Sequence, residues 1–293
     1  MPVLCHVVRH GIQQRPEVTM KDFTLSTYRL YVDAIRERYP SILRFDEYFS
    51  ANPKPSCFCL LKHDVDRRPF HALRMALLEH ELGVRSTYYF RAKPHTFIPD
   101  VIRKIHSLGH EIGYHYESLS DARGNLTLAA NAFADSLDAF RAVVPIKSVA
   151  FHGRPLSRHD NRHLVRLMRQ QGAFEMLNLL GDASEDIDYA DIFYLSDTGR
   201  NWDPGKHKIR DTVDSRVQAN ILSGDDLHAY FRHQPHPKLI LLTHPERWSH
   251  HALDWTLQAV KDKVTNLIKA GVRHFRPAGG TVSKDGRARS ITM

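Results

Sequence analysis

From residue 57 onward, short apolar runs that end in charge alternate with longer segments whose apolar positions recur every three or four residues. The run CFCLLK at 57–62 reads as a buried strand whose carboxyl end opens onto polar surroundings. RPFHALRMALLEHELG then reads as a helix, with Pro69 near its start, Phe70, Leu73, Leu77 and Leu78 on one face and Gly83 at its stop. The same pair of patterns repeats. VRSTYYFRA, HEIGYHYE and IKSVAFHG predict strands, and FIPDVIRKIHSLG, LTLAANAFADSLDAFRAVV and HDNRHLVRLMRQQG predict helices. After a less regular stretch at 174–236, KLILLTHPERW restores a strand with its exit loop, and SHHALDWTLQAVKDKVTNLIKAG supplies a last long helix. Such alternation predicts an α/β chain with a parallel sheet or barrel and outer helices. Ahead of it, FTLSTYRLYVDAIRERY has helical spacing and NPKP breaks it. Residues 1–56 are therefore expected to form a helical extension packed on the barrel, 57–280 the barrel itself, and 281–293 a flexible polar tail. There is no internal repeat or low-complexity linker.

Composition narrows the class without choosing a chemistry. At 293 residues, 42% apolar and 25% charged, the chain resembles ordinary folded proteins. No apolar run is long enough for a membrane span, and the opening MPVLCHVVRHGIQQRPEV lacks the apolar stretch of a secretion signal, so a cytoplasmic location is expected. The three cysteines are expected to be reduced and buried. A net charge of +8 permits attraction to anions, but Lys and Arg are dispersed and no nucleic-acid module is visible, so specific nucleic-acid binding is not expected. Of the 20 histidines, one metal site needs only a few.

Asp64 and Asp66 alternate onto the same side of an extended segment where the first strand leaves its core. One carboxylate can bind a divalent ion while the other takes a proton from water. Either aspartate could instead cap the following helix or pair with Arg67 or Arg68. His115 shares strand parity with Glu111, Gly113 and Glu117, at a place suited to a ligand. His152 and His244 repeat that placement at the ends of their own apolar strands.

KHDVD, then VRSTYYF, LGHEIGYH, HGRP and LLTHP, in that order, resemble the motifs of the polysaccharide deacetylases, the NodB-homology family or carbohydrate esterase family 4. The resemblance spans roughly residues 57 to 248. It implies a distorted (β/α) barrel of about seven strands and hydrolysis of an N-acetyl or related amide on a sugar, with a divalent metal, usually zinc. It implies further that Asp64 is the catalytic base, Asp66 and His115 metal ligands, Arg154 the arginine that orients the base, and His244 the proton donor to the leaving amine. Asp197 and Trp202, in YLSDTGRNW, resemble the later positions that flank that histidine and line the substrate pocket. One position departs from the pattern: the second histidine, four residues after the first, is Leu119, which cannot bind metal. His152 is the preferred third ligand, Glu117 the second choice, and His110 is expected to be structural.

The expected substrate is a carbohydrate, a cytoplasmic precursor in surface-polysaccharide biosynthesis. The alternatives are an amidohydrolase of small linear or cyclic amides and a non-catalytic sugar-binding relative. Oligomeric state is not readable from the sequence.

Overall fold

The structure, a computed structural model, describes residues 20–154, 156–202, 213–233 and 235–275, the last eight of these by backbone alone. The expected polar tail and Cys5 lie outside the described residues. Chain order is α1 (Leu25–Arg38), β1 (Ile42–Leu43), α2 (Phe45–Ser50), β2 (Phe58–Val65), α3 (Pro69–Glu81), β3 (Thr87–Phe90), α4 (Pro99–Ser107), β4 (Glu111–Tyr116), α5 (Ser118–Asp121) and α6 (Leu126–Arg141). Then come β5 (Ser148–Phe151), α7 (Arg162–Gln170), β6 (Gly181–Asp182), β7 (Phe193–Ser196), α8 (Gly224–His233), β8 (Lys238–Thr243) and α9 (Ala252–Phe275).

All strand pairs are parallel, in the order β6-β5-β4-β3-β2-β8-β7, with β1 beside the first half of β2. This is a distorted (β/α) barrel, a curled sheet left open between β6 and β7. The irregular region supplied two strands and a helix that sequence periodicity did not resolve. Both strands are short, and β6 has only two residues, too few for any period to register.

Alternation along β2 separates two interiors. Cys59, Leu61 and Val65 join the larger core under the helices, whereas Phe58 and Leu60 face a smaller one with Tyr89, Ala150 and Ile240. Phe45 and Tyr48 of α2 pack into this smaller core. On the same side of β2, further along, stand Lys62 and Asp64, so the inner face changes from apolar to charged toward the carboxyl end. Gly113 of β4 permits that packing: a Cβ there would lie 2.3 Å from the Tyr89 ring.

The face expected for α3 was half right: Leu73 and Leu78 pack, partly buried, against the core. Phe70 and Leu77 are exposed, while Ala72, Met75, Ala76 and Glu79 are buried. Glu79 can face inward because its carboxylate accepts hydrogen bonds from Tyr28 (2.5 Å), Ser86 (2.6 Å), Tyr88 (2.8 Å) and His63 Nε2 (2.8 Å). Burial opposes the charge of Glu79, but His63 above all, with His110 and Ser86, holds it down to about 2. His110 is structural, as expected: its ring bonds Ser86 and the Ala76 carbonyl (3.0 Å) behind the sheet.

Residues ahead of β2 are not only helical, since β1 adds to the sheet through Ile42 opposite Cys59. Cys57 and Cys59 are free thiols. No described helix is long and apolar enough to cross a membrane.

Candidate metal and active site

Parallel registration brings the carboxyl ends of several strands to one rim. Asp64 lies opposite Tyr89 in β3, and His115 opposite Ala150 in β5. Asp66 follows β2 by one residue, and His152, Asp197 and His244 each follow β5, β7 and β8 by one. A side chain just past a strand end is held by the sheet yet free of its ladder, so it can project over the rim.

Asp66, His115 and His152 converge there, with one potential ligand atom from each lying within 4.8 Å of the others. Nε2 of His115 is 3.5 Å from Asp66 Oδ1, and Nε2 of His152 is 3.5 Å from Asp66 Oδ2. Ligands held at 2.0–2.1 Å in a tetrahedron stand about 3.3 Å apart, so these separations suit three groups sharing one small ion. Both rings are oriented for it. His115 Nδ1–H donates to the Ala150 carbonyl (3.1 Å), which leaves Nε2 free, and His152 Nδ1–H donates to Glu117 (3.0 Å) with the same result. Asp66 Oδ1 is buried without a hydrogen-bond partner, as an oxygen reserved for a cation would be. The donor set and its geometry fit a divalent ion such as zinc.

Without the ion the same groups form a charged triplet. Burial works against the charge of Asp66, but His152 and His115 outweigh it and hold this carboxyl well below the usual range. Burial likewise opposes the His152 imidazolium, yet Asp66 and Glu117 push it up to about 9. His115 lacks such a compensating partner: burial takes it down to about 4 despite Asp64 and Asp66.

Glu117 stands behind His152, accepting from its Nδ1–H (3.0 Å) and from Arg91 at 2.6 Å. Leu119 is buried in the core as the second residue of α5. Helix capping does not account for the aspartates, since α3 begins after Arg68 with no side-chain cap. Arg67 and Arg68 pair elsewhere, with Glu246 and Asp254 (3.6 Å each).

Asp64 stands beside the triplet, with Oδ2 3.6 Å from His115 Nε2. Its other oxygen accepts a 2.5 Å hydrogen bond from the buried Lys62 ammonium, which also lies over the Tyr89 ring. Here the structure corrects the expectation for Arg154. That residue, at φ 36 in the loop after β5, ion-pairs with Glu117 (3.4 Å) and Asp121, near the exit of the adjacent β4. β5 is three places from β2 in the sheet, and the cation on Asp64 comes instead from its own strand. The sequence reading did not single out Lys62, although its strand parity with Asp64 was a signal that could have found it.

His244 forms a second unit. Its Nδ1–H donates to Asp197 at 2.6 Å, and the same carboxylate accepts from the His244 backbone N–H (3.0 Å), Arg247 (2.8 Å) and the Trp248 indole (2.9 Å). Burial and Arg247 disfavour the imidazolium, but Asp197 prevails and raises His244 above its ordinary value. Asp197 is held down to about 2, with burial outweighed by Arg247 and His244. It is wholly buried, so it flanks the histidine without lining a pocket. Trp202 is a further correction: it is fully buried, stacked on Phe23 with centroids 5.5 Å apart, and touches no open surface. The aromatic rings pack in the core, and burying the large indole there outweighs leaving it at the rim. Beside Asp64 is a cavity of about 30 Å³, lined by Lys62, Phe151, Ser184, Tyr189 and Tyr194 among others.

No family model matches this chain, and no curated protein matches it. Among solved structures it is similar to a carbohydrate esterase family 4 pseudoenzyme from Bacillus anthracis (13% identity over 71% of this chain, TM-score 0.36) and spans 60% of that protein's length. It is also similar to the family 4 carbohydrate esterase from Streptomyces lividans in complex with acetate (13% identity, 73% of this chain and 90% of that one, TM-score 0.38). A third is a family 4 esterase from Streptococcus mutans (11% identity, 84% and 88%, TM-score 0.40). The sequence motifs resemble this same family.

Proposed function

We propose that this chain is a zinc-dependent hydrolase that removes an N-acetyl or related amide group from a carbohydrate. The observation that carries the reading is the convergence of Asp66, His115 and His152, both rings turned by their own hydrogen bonds so that Nε2 faces Asp66. Bound there, zinc would polarise the amide carbonyl and acidify a water.

The chain's own groups divide the two proton transfers. Asp64 takes the proton of the water that adds to the carbonyl carbon, while Lys62 keeps one carboxylate oxygen fixed and the other turned toward the triplet. His244, whose charged form Asp197 favours, gives its proton to the nitrogen as the C–N bond breaks. The products are a carboxylate and an amine. Protonation at nitrogen is required because an amide anion is a very poor leaving group. The cavity beside Asp64, at about 30 Å³, is too small for a sugar ring, so the sugar remains outside it.

A second reading, a non-catalytic sugar-binding protein, is favoured by the tight Lys62–Asp64 pair, which already occupies one oxygen of the expected base. Two measurements separate them: zinc content by mass spectrometry, and acetate release from a panel of N-acetylated sugars and sugar nucleotides. The hydrolase is expected to bind one zinc and to release acetate. Asp64→Asn should stop release with zinc retained, and Asp66→Asn should lose the metal. Equal metal loss in both variants overturns the division of roles, and zinc binding without turnover on any amide leaves the binding protein.

A further inference from the structure

Helix α9 presents its two faces in the reverse of the usual sense. A helix on a globular surface buries its apolar stripe and leaves its polar side in water. In α9 the inward residues are largely polar, the half-buried Trp255 apart, whose ring lies against Arg200. Gln258 and Asp262 are buried and bonded to each other (3.1 Å), Asp262 reaches Arg200 (3.7 Å) and Arg247 (3.9 Å), and Asn266 donates to the Gly199 carbonyl (2.8 Å). The outward residues are Leu253, Leu257, Val260, Val264 and Leu267, exposed by between 51% at Val264 and 81% at Leu253.

Their spacing is regular: four, three, four and three residues, the repeat of a two-stranded coiled-coil seam, continuing for about 21 Å of helix. Among the described residues no other element covers it. With Leu257 and Val264 as one set of seam positions and Leu253, Val260 and Leu267 as the other, the flanking positions on one side are Asp254 and Lys261. If two such helices pair antiparallel, Leu257 meets Val260 of a second copy and Val264 meets its Leu253. Asp254 then faces Lys261 of that copy, and the two-fold axis repeats the contact. Among the described side chains, parallel pairing places no opposite charges together: Lys261 would face Thr256. The charges thus select one partner and one direction.

We infer that α9 is the contact by which two copies of this chain associate, antiparallel, through the Leu253–Leu267 seam. Two heptads make a short interface, so the association should be reversible and depend on concentration. This inference is independent of the hydrolase reading.

Sedimentation velocity of the full chain tests it, from about 1 to about 200 µM. The wild type is expected to shift from a 33.8 kDa monomer toward twice that mass. Val260→Glu with Val264→Glu should remain monomeric throughout, with far-UV circular dichroism unchanged because both positions face solvent in the monomer. Asp254→Lys and Lys261→Asp should each weaken the dimer, and the double exchange should restore it. Asp254 also lies 3.6 Å from Arg68, so recovery in the double variant isolates the contact between copies. A wild type that stays monomeric overturns the inference. So does a dimer indifferent to the two glutamates, or one that the charge exchange fails to rescue.

Discussion

Lowering the pH from about 6.5 to about 5.5 should weaken zinc binding about tenfold, because one proton leaves His152 for each ion that binds. In the metal-free protein His152 is held up to about 9 by Asp66 and Glu117, so it is an imidazolium throughout that range. Its Nε2 must lose the proton before it can donate an electron pair. The other two ligands contribute no proton. Asp66 is already ionised, held well below the usual carboxyl range, and His115, brought down to about 4, is already neutral. Below about pH 7 a zinc-bound water also keeps its proton, which leaves a single exchange and a slope of one in log affinity against pH, or about 1.4 kcal/mol per unit. Isothermal titration with zinc near pH 6, in two buffers of different ionisation enthalpy, counts the protons released. One is expected. Zero protons and a flat affinity would refute the placement of His152 in the ligand set, and two would mean that His115 is also charged. Glu117→Gln in the same assay should weaken affinity by roughly 10- to 100-fold, the usual effect of removing the carboxylate behind a ligating imidazole.

Lys62→Met leaves the buried Asp64 carboxylate without its cation and should destabilise the metal-free protein by about 3–5 kcal/mol in urea unfolding near neutral pH. Adding Asp64→Asn should recover most of that loss, and additive effects would show that the pair is not coupled. Asp197→Asn removes the charge that raises His244, so the alkaline limb of the activity profile, where the donor proton is lost, should move to lower pH. An unmoved limb removes His244 from the donor role. Glu79→Ala leaves Tyr28, Ser86, Tyr88 and His63 facing an empty polar site, and should cost about 3–5 kcal/mol. A loss under about 1 kcal/mol would show that the network reorganises around the gap.

Much of this site was legible in the chain because each clue was local. A strand exit is a change from apolar to polar residues over a few positions, and Asp64, His115, His152 and His244 were found at such changes. Alternation placed Asp64 with Asp66 and His115 with Glu111 without reference to any distant residue. The helical period was weaker evidence. On α3 it selected Phe70 and Leu77, because a count of apolar positions cannot anticipate that Glu79 has four buried donors awaiting it. On α9 it marked a long helix but not which of its faces turns inward.

By itself the sequence determined the alternation of strands and helices, the parallel arrangement that follows from it, and the residues that stand at the strand exits. Tertiary structure alone decided how those residues associate. Asp66 and His152 meet only because the sheet curls, Glu117 stands behind His152, Lys62 takes the place expected of Arg154, and Trp202 enters the core. The reason is physical: period and burial are set by neighbours a few residues away, whereas a ligand set, an ion pair or a packed ring depends on distances of a few ångströms between strands remote in sequence.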